Sequence, residues 1–294
     1  MTILQGIVLG LVQGLTEFIP VSSTAHLVFA ARVLNLYGGV DKTLQAEQTT
    51  ATIAVIQLGT LLAVFVYFAR DIAKIVRAFV GDHLALLKGR PVAAANSKLS
   101  QDAWLGWLVI IGSIPVGTVG LVLKKQIEGP FTKNLWVIAT MMIVVGVLMA
   151  IAEAVGKRDH DMSRLRVRDA LAVGFAQVLA LIPGSSRSGS TIMGGLFSGL
   201  TRETAARFSF LLSIPAIAAS GLLELREAIH KLPDGSSGAL IVATIVSGAV
   251  GYASIWFLLR FLRTHSTGIF IVYRVIIGGL ILAALAAGYV TASI

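Results

Sequence analysis

The chain has 294 residues, of which 56% are hydrophobic and 13% charged, with a net charge of +9 and no cysteine. A mean hydropathy of +0.85 excludes an ordinary soluble domain, and the missing thiols exclude disulfide and thiolate chemistry. The positive charge does not imply nucleic acid, because the basic residues gather between apolar runs, where they set topology and face anionic lipid.

In chain order, residues 2 to 37 are apolar but cut near the middle by Pro20 to Thr24. This first stretch has no basic leader and no small-residue cleavage site, and it contains Glu17, so it is expected to belong to the fold. Spanning helices are predicted over about 51 to 69, 104 to 123 and 135 to 155. Residues 169 to 200 are again apolar and again cut, by Pro183 to Gly189, and further spans are predicted over 208 to 225, 239 to 259 and 268 to 290. Each span approaches the ~20 residues that a hydrocarbon core requires. The pieces after the two cuts, Ala25 to Tyr37 and Ser190 to Leu200, extend only ~20 Å and ~17 Å at 1.5 Å per residue. A helix, a polar break and a short return helix describe a re-entrant hairpin, tolerated at depth where protein or a wet cavity surrounds it.

The two cut regions share an order of parts. Gly10, Gln13, Leu15, Pro20, Ser22 and Ser23 match Gly174, Gln177, Leu179, Pro183, Ser185 and Ser186, with a one-residue offset at the break. The expected fold class is therefore an all-α polytopic membrane protein of two inverted repeats, about 1-155 and 156-294, each a hairpin plus three spans, forming a single domain over 1-294. Loops 70 to 103, 156 to 168, 201 to 207 and 260 to 267 hold fifteen Lys and Arg, against six in loops 38 to 50, 124 to 134 and 226 to 238. The richer face is assigned to the cytoplasm. The first hairpin then enters from the periplasmic side and the second from the cytoplasm, with their tips meeting near mid-membrane.

Those tips carry the chemistry. Gln13 and Glu17 are four apart and share a helix face, with Ser22, Ser23, Thr24 and His26 following in the break. An acid in an apolar segment is costly, which assigns Glu17 to function. One serine can cap the return helix, but capping does not call for three hydroxyls in a row. In the second tip, Pro183-Gly-Ser-Ser-Arg-Ser-Gly-Ser-Thr191 sets Arg187 among four serines and a threonine. A turn packing small residues explains the glycines and serines, not the arginine, which at that depth needs Glu17 or a ligand phosphate. Arg274, at the start of the last span, is expected to snorkel to headgroups, and Gln57 to line the cavity.

The segments Gln13-Gly-Leu-Thr-Glu17-Phe-Ile-Pro-Val-Ser-Ser-Thr-Ala-His26 and Pro183 to Thr191 together resemble the bacterial undecaprenyl pyrophosphate phosphatases of the bacitracin-resistance type. The resemblance covers nearly the whole chain in segment order and length. It implies a multi-pass enzyme of the bacterial inner membrane, its site open toward the periplasm, that hydrolyses undecaprenyl diphosphate, recycles the carrier for peptidoglycan and cell-wall synthesis, and confers bacitracin resistance. It carries Glu17, Ser23 and His26 over as catalytic positions and Ser186, Arg187 and Thr191 as phosphate-binding ones; Arg187 is expected to serve catalysis as well, and Gln13, Ser22, Thr24 and Ser188 to join Ser186 and Thr191 at the substrate. It also implies a divalent cation, Mg²⁺ or Ca²⁺, with Glu17 as the ligand. Many members have a glutamate where this chain has Gln13, so base and anionic-ligand roles fall on Glu17.

The expected partners are a polyprenyl diphosphate and membrane lipids, without nucleic acid; small-residue helix faces also suit a homodimer. Ser23 is the expected nucleophile, with Glu17 or His26 as its base; attack by His26 or by water is an open alternative. A lipid-phosphate flippase or anion transporter would use Arg187 equally well but has no need of Ser, Glu and His together. An intramembrane serine protease would leave the arginine unexplained.

Overall fold

The computed structural model describes residues 1–89, 99–123, 126, 134–232 and 235–292. It is helical: α1 Ile3–Phe18, α2 Ser23–Val33, α3 Lys42–Tyr67, α4 Ala69–Leu87, α5 Gln101–Val122, α6 Leu135–Val155, α7 Val167–Val178, α8 Arg187–Phe197, α9 Arg202–Lys231, α10 Ser237–Leu262 and α11 Gly268–Ala286. Among the described residues, α3, α5, α6, α10 and α11 are long and apolar enough to cross a membrane, as a polytopic membrane protein requires. The sixth predicted span, 208 to 225, falls inside α9, whose side chains at 220 and 222–231 lie outside the described residues.

Three elements differ from the sequence expectation. Helix α3 begins at Lys42, nine residues ahead of the predicted 51, because Asp41 caps it by accepting from the Thr43 N–H at 2.9 Å. Residues 70 to 87, read as loop, form α4. Its Ile72, Ile75 and Phe79 follow helical spacing, but interleaved Arg, Lys and Asp hid them from a hydropathy average. Helix α9 starts at Arg202, absorbing the loop predicted over 201 to 207.

Lipid is as apolar as leucine, so these helices are held together by close backbone approach rather than by expelling water. Gly6, Gly10 and Gly14 form a stripe on α1 that lies directly on α10. A Cβ at Gly14 would stand 2.7 Å from Val250 Cβ and 2.9 Å from Ser247 O. Gly174 on α7 meets Gly112 on α5 in the same way, and Gly278 on α11 meets Ile143 and Ala139 on α6. Between these pairs lies an apolar core in which the Phe18 and Phe210 rings meet edge to face at 5.2 Å. One end of the bundle is tied by Glu153, which accepts from Arg158, Arg202 and the Thr267 hydroxyl.

Candidate active site

Both breaks have a physical origin in the chain. Pro20 has no N–H to continue α1, and Gly184 sits at φ +93°. Two serines then hold the left-handed conformation that side chains avoid, Ser22 at φ 77° and Ser186 at φ 66°. Each immediately precedes a helix, α2 and α8, so the positive ends of two 11-residue helices are presented at the breaks. Sequence comparison had set Ser23 opposite Ser186. The backbones instead make Ser22 the counterpart of Ser186, at the spacing that also separates Gly10 from Gly174 and Gln13 from Gln177. Ser23 and Arg187 are thus the first residues of matching helices.

The structure brings the acidic and cationic segments together. Arg187 Nη2 donates to Glu17 Oε1 at 3.1 Å, between side chains 12% and 5% exposed. Glu17 Oε2 accepts from Ser23 Oγ at 2.9 Å and from Gln13 Nε2 at 3.1 Å. Gln13 Nε2 also reaches Thr60 Oγ1 at 3.4 Å, and the Thr60 hydroxyl donates to the Gln57 carbonyl, so half-buried Gln57 adjoins the site through its backbone. His26 faces elsewhere. Its Nδ1 meets the Ser22 carbonyl at 2.7 Å and its Nε2 the Tyr273 hydroxyl at 2.6 Å; among the described residues no hydrogen bond joins it to Ser23 or Glu17.

The remaining predicted residues divide in two. Ser186 Oγ caps α8 by accepting from the Gly189 N–H at 3.2 Å, and Ser188 Oγ reaches across to the Ile19 carbonyl at 3.4 Å. Thr191 is fully buried, its hydroxyl on the Arg187 carbonyl at 2.7 Å and on Ser209 Oγ at 2.5 Å, which makes it a brace under the arginine. Ser22 makes no side-chain cap, and Thr24 is exposed in the first turn of α2. Several buried polar atoms have no hydrogen-bond partner among the described residues: Ser22 Oγ, Ser185 Oγ, Gln13 Oε1, and Arg187 Nε and Nη1. Such atoms are costly unless a ligand or water meets them.

Arg274 corrects the snorkelling expectation. It is fully buried, and its guanidinium donates to the carbonyls of Pro20 at 3.3 Å, Gly184 at 3.0 Å and Ser185 at 3.0 Å, besides Met141 and Met142 on α6. The broken helices leave carbonyls without helical donors, and this one side chain gathers carbonyls from both breaks. Neither it nor Tyr273 carried a local signal, since their partners are distant in sequence.

A divalent cation would need a cage that the donor set does not form. Glu17 is the sole carboxylate among the hydrogen-bonded groups of the site, and both its oxygens are engaged. Among the described residues no cluster of three His, Asp or Glu exists.

The sequence also has close relatives. It is 52% identical over 282 residues to an undecaprenyl-diphosphatase of Syntrophobacter fumaroxidans, covering 96% of this chain and 97% of that one. It is 46% identical to one of Mycolicibacterium gilvum, covering 99% and 100%, and 44% identical to one of Chlorobium limicola, covering 100% of both. The sequence pattern of the family described as bacitracin resistance protein BacA matches residues 6–280, and the chain belongs to that family.

Proposed function

We propose that this chain hydrolyses undecaprenyl diphosphate to undecaprenyl phosphate and inorganic phosphate, the activity for which its relatives are named. The carrying observation is the Glu17–Arg187 pair, bridging two interrupted segments beside guanidinium and hydroxyl groups that have no hydrogen-bond partner among the described residues. Arg187 donates to the Glu17 carboxylate through Nη2. With a diphosphate bound, its free Nε and Nη1, the Ser22 and Ser185 hydroxyls and the N–H groups opening α2 and α8 suit the phosphate oxygens and the charge that spreads over them during transfer.

Ser23 Oγ, already donating to Glu17, attacks the terminal phosphorus and passes its proton to Glu17 Oε2. The bond from that phosphorus to the bridging oxygen breaks, and undecaprenyl phosphate leaves. Water then attacks the phosphoserine, Glu17 returns the proton to Ser23 Oγ, and the water's proton passes to His26 Nε2 as inorganic phosphate departs. Ser186, Ser188 and Thr191 hold α8 so that Arg187 points into the site. No step runs through a metal; a cation would arrive with the diphosphate oxygens rather than rest in a protein cage. A flippase would use the same ion pair, but it has no use for a serine hydrogen-bonded to a carboxylate.

The matched left-handed serines, the matched glycine contacts and the paired packing of α1 on α10 and α7 on α5 support two inverted repeats within one domain, each entered by a re-entrant hairpin. We place the chain in the bacterial inner membrane with the site opening toward the periplasm, on the asymmetry of loop charge.

Phosphate release from undecaprenyl diphosphate by purified protein in detergent, with and without chelator, tests the activity. Wild type should turn over without any gradient, and Glu17→Ala and Arg187→Ala should each lose about 100-fold or more, the cost of a removed oxyanion donor elsewhere. A wild-type protein that releases no phosphate refutes the proposal.

A further inference from the structure

The proposed reaction leaves one arrangement unused. His26 does not face the serine or the carboxylate; it is held between the Ser22 carbonyl and Tyr273 of α11, 247 positions away in the chain. A carbonyl oxygen only accepts, so the 2.7 Å contact at Nδ1 requires a proton on Nδ1. In the neutral ring Nε2 then carries the lone pair and accepts from the Tyr273 hydroxyl at 2.6 Å. The two rings also stack, 13° from parallel with centroids 5.7 Å apart, which fixes the imidazole plane as well as its edge. Tyr273 is 39% exposed, so the pair is not sealed in the core.

We propose that Tyr273 is a positioning residue for the hydrolysis: it holds His26 as the Nδ1–H tautomer, makes Nε2 the atom that takes up a proton, and remains its partner once the proton has arrived. A phenol can do both, because its oxygen donates to a lone pair and equally accepts from an N–H. While Nε2 is bare, Tyr273 donates to it. As water attacks, its proton passes to the phenol oxygen while the phenol's own hydrogen moves onto Nε2; the phenol then accepts the new Nε2–H, and the hydrogen it has gained is free to turn toward a phosphate oxygen. The imidazole therefore keeps its place through the cycle. Ser23 and Glu17 form one proton-handling pair and His26 and Tyr273 a second, so that activation of the serine and discharge of the phosphoserine use different bases.

This inference rests on the hydrolysis reading, and two measurements separate their failures. The ring nitrogens of ¹⁵N-histidine-labelled protein in detergent micelles report the tautomer without any turnover; among the five histidines, His26 is assigned by its loss in His26→Gln. At neutral pH the expected spectrum has Nδ1 protonated and Nε2 bare, with the Nε2 resonance moving in Tyr273→Phe, which keeps the stacked ring and removes only the hydroxyl. In the phosphate-release assay Tyr273→Phe should lower kcat at least about tenfold with KM changed less than about twofold, a fraction of what general acid–base groups contribute. The same substitution made in His26→Gln should change kcat by less than about twofold, because the tyrosine then has nothing to position.

A His26 ring protonated at Nε2 or at both nitrogens overturns the proposal, as does wild-type kcat in Tyr273→Phe or an undiminished effect in the double variant. A wild-type protein without phosphatase activity would remove the hydrolysis reading, while its nitrogen spectrum would still decide the tautomer.

Discussion

Replacing Arg274 by methionine keeps an apolar stem in the cavity and removes all five donated hydrogen bonds. Met141 and Met142 lie inside α6 and keep their helical donors, so the loss falls on the breaks. The Pro20 and Gly184 carbonyls have no other donor among the described residues, and Ser185 keeps only a 3.5 Å contact from Ser190 Oγ. At ~1–2 kcal/mol for each buried carbonyl left unmet, the three come to ~3–6 kcal/mol. Relief of the desolvated guanidinium offsets part of this. A net loss of ~3 kcal/mol, at ~2 °C per kcal/mol for a chain of this size, lowers the melting temperature by ~6 °C. Because the lost bonds span both breaks, turnover should fall further than stability does; a displacement of ~1 Å between reacting groups costs ~100-fold. Thermal unfolding in detergent, followed by the four tryptophans, and phosphate release measure the two effects. Arg274→Lys, with fewer donors on a point charge, should fall between. If Arg274→Met melts within about 1 °C of wild type and turns over normally, the clamp plays no part in building the site.

Trapping the protein during turnover and mapping the phosphate should place label on Ser23 and none in Ser23→Ala; label on His26, or no covalent species, would return the nucleophile to histidine or water. Arg187→Lys keeps the charge but loses the planar fork, and kcat/KM should fall at least about tenfold, since a single ammonium cannot serve Glu17 and the phosphate oxygens from separate nitrogens. Gly14→Val places a branched side chain against Val250 and the Ser247 carbonyl, forcing α1 off α10 at ~1–3 kcal/mol, whereas Gly81→Ala on α4, with open space around it, should raise the melting temperature slightly. Equal melting points for those two glycine variants would contradict the packing argument.

Hydropathy and turn residues made much of this architecture legible. The span predicted over 135 to 155 is helix Leu135–Val155, because Asn134 caps one end and Gly156 closes the other. The two cuts were legible because proline, glycine and serine interrupt apolar runs that are otherwise uniform. The polar first turns of α3 were not, since a helix that emerges from the hydrocarbon leaves no apolar trace there; only Asp41 marked it. Glu17 and Arg187 were legible as a pair because each is costly alone and opposite in charge. Arg274 was misread for the complementary reason: its partners are backbone carbonyls, which every residue has and no sequence pattern displays. Tyr273 was missed likewise, a tyrosine in an apolar run being ordinary until its hydroxyl is found on an imidazole. The two arginines show that burial cost predicts the need for a partner but not its chemical kind.

Arg274 is borne by one of the last helices, yet it grips Pro20 near the beginning, and Glu17 precedes Arg187 by 170 positions. On the proposed mechanism, catalytic competence belongs to the seam between the two parts of the chain and to neither part alone. A polypeptide severed in the connection between Val155 and Val167 would yield two fragments, one with Ser23 and Glu17 but neither Arg187 nor Arg274, and one with both of those arginines but without Glu17. Each would be inert by itself, and reassociation of the fragments would restore the chemistry without restoring the peptide bond.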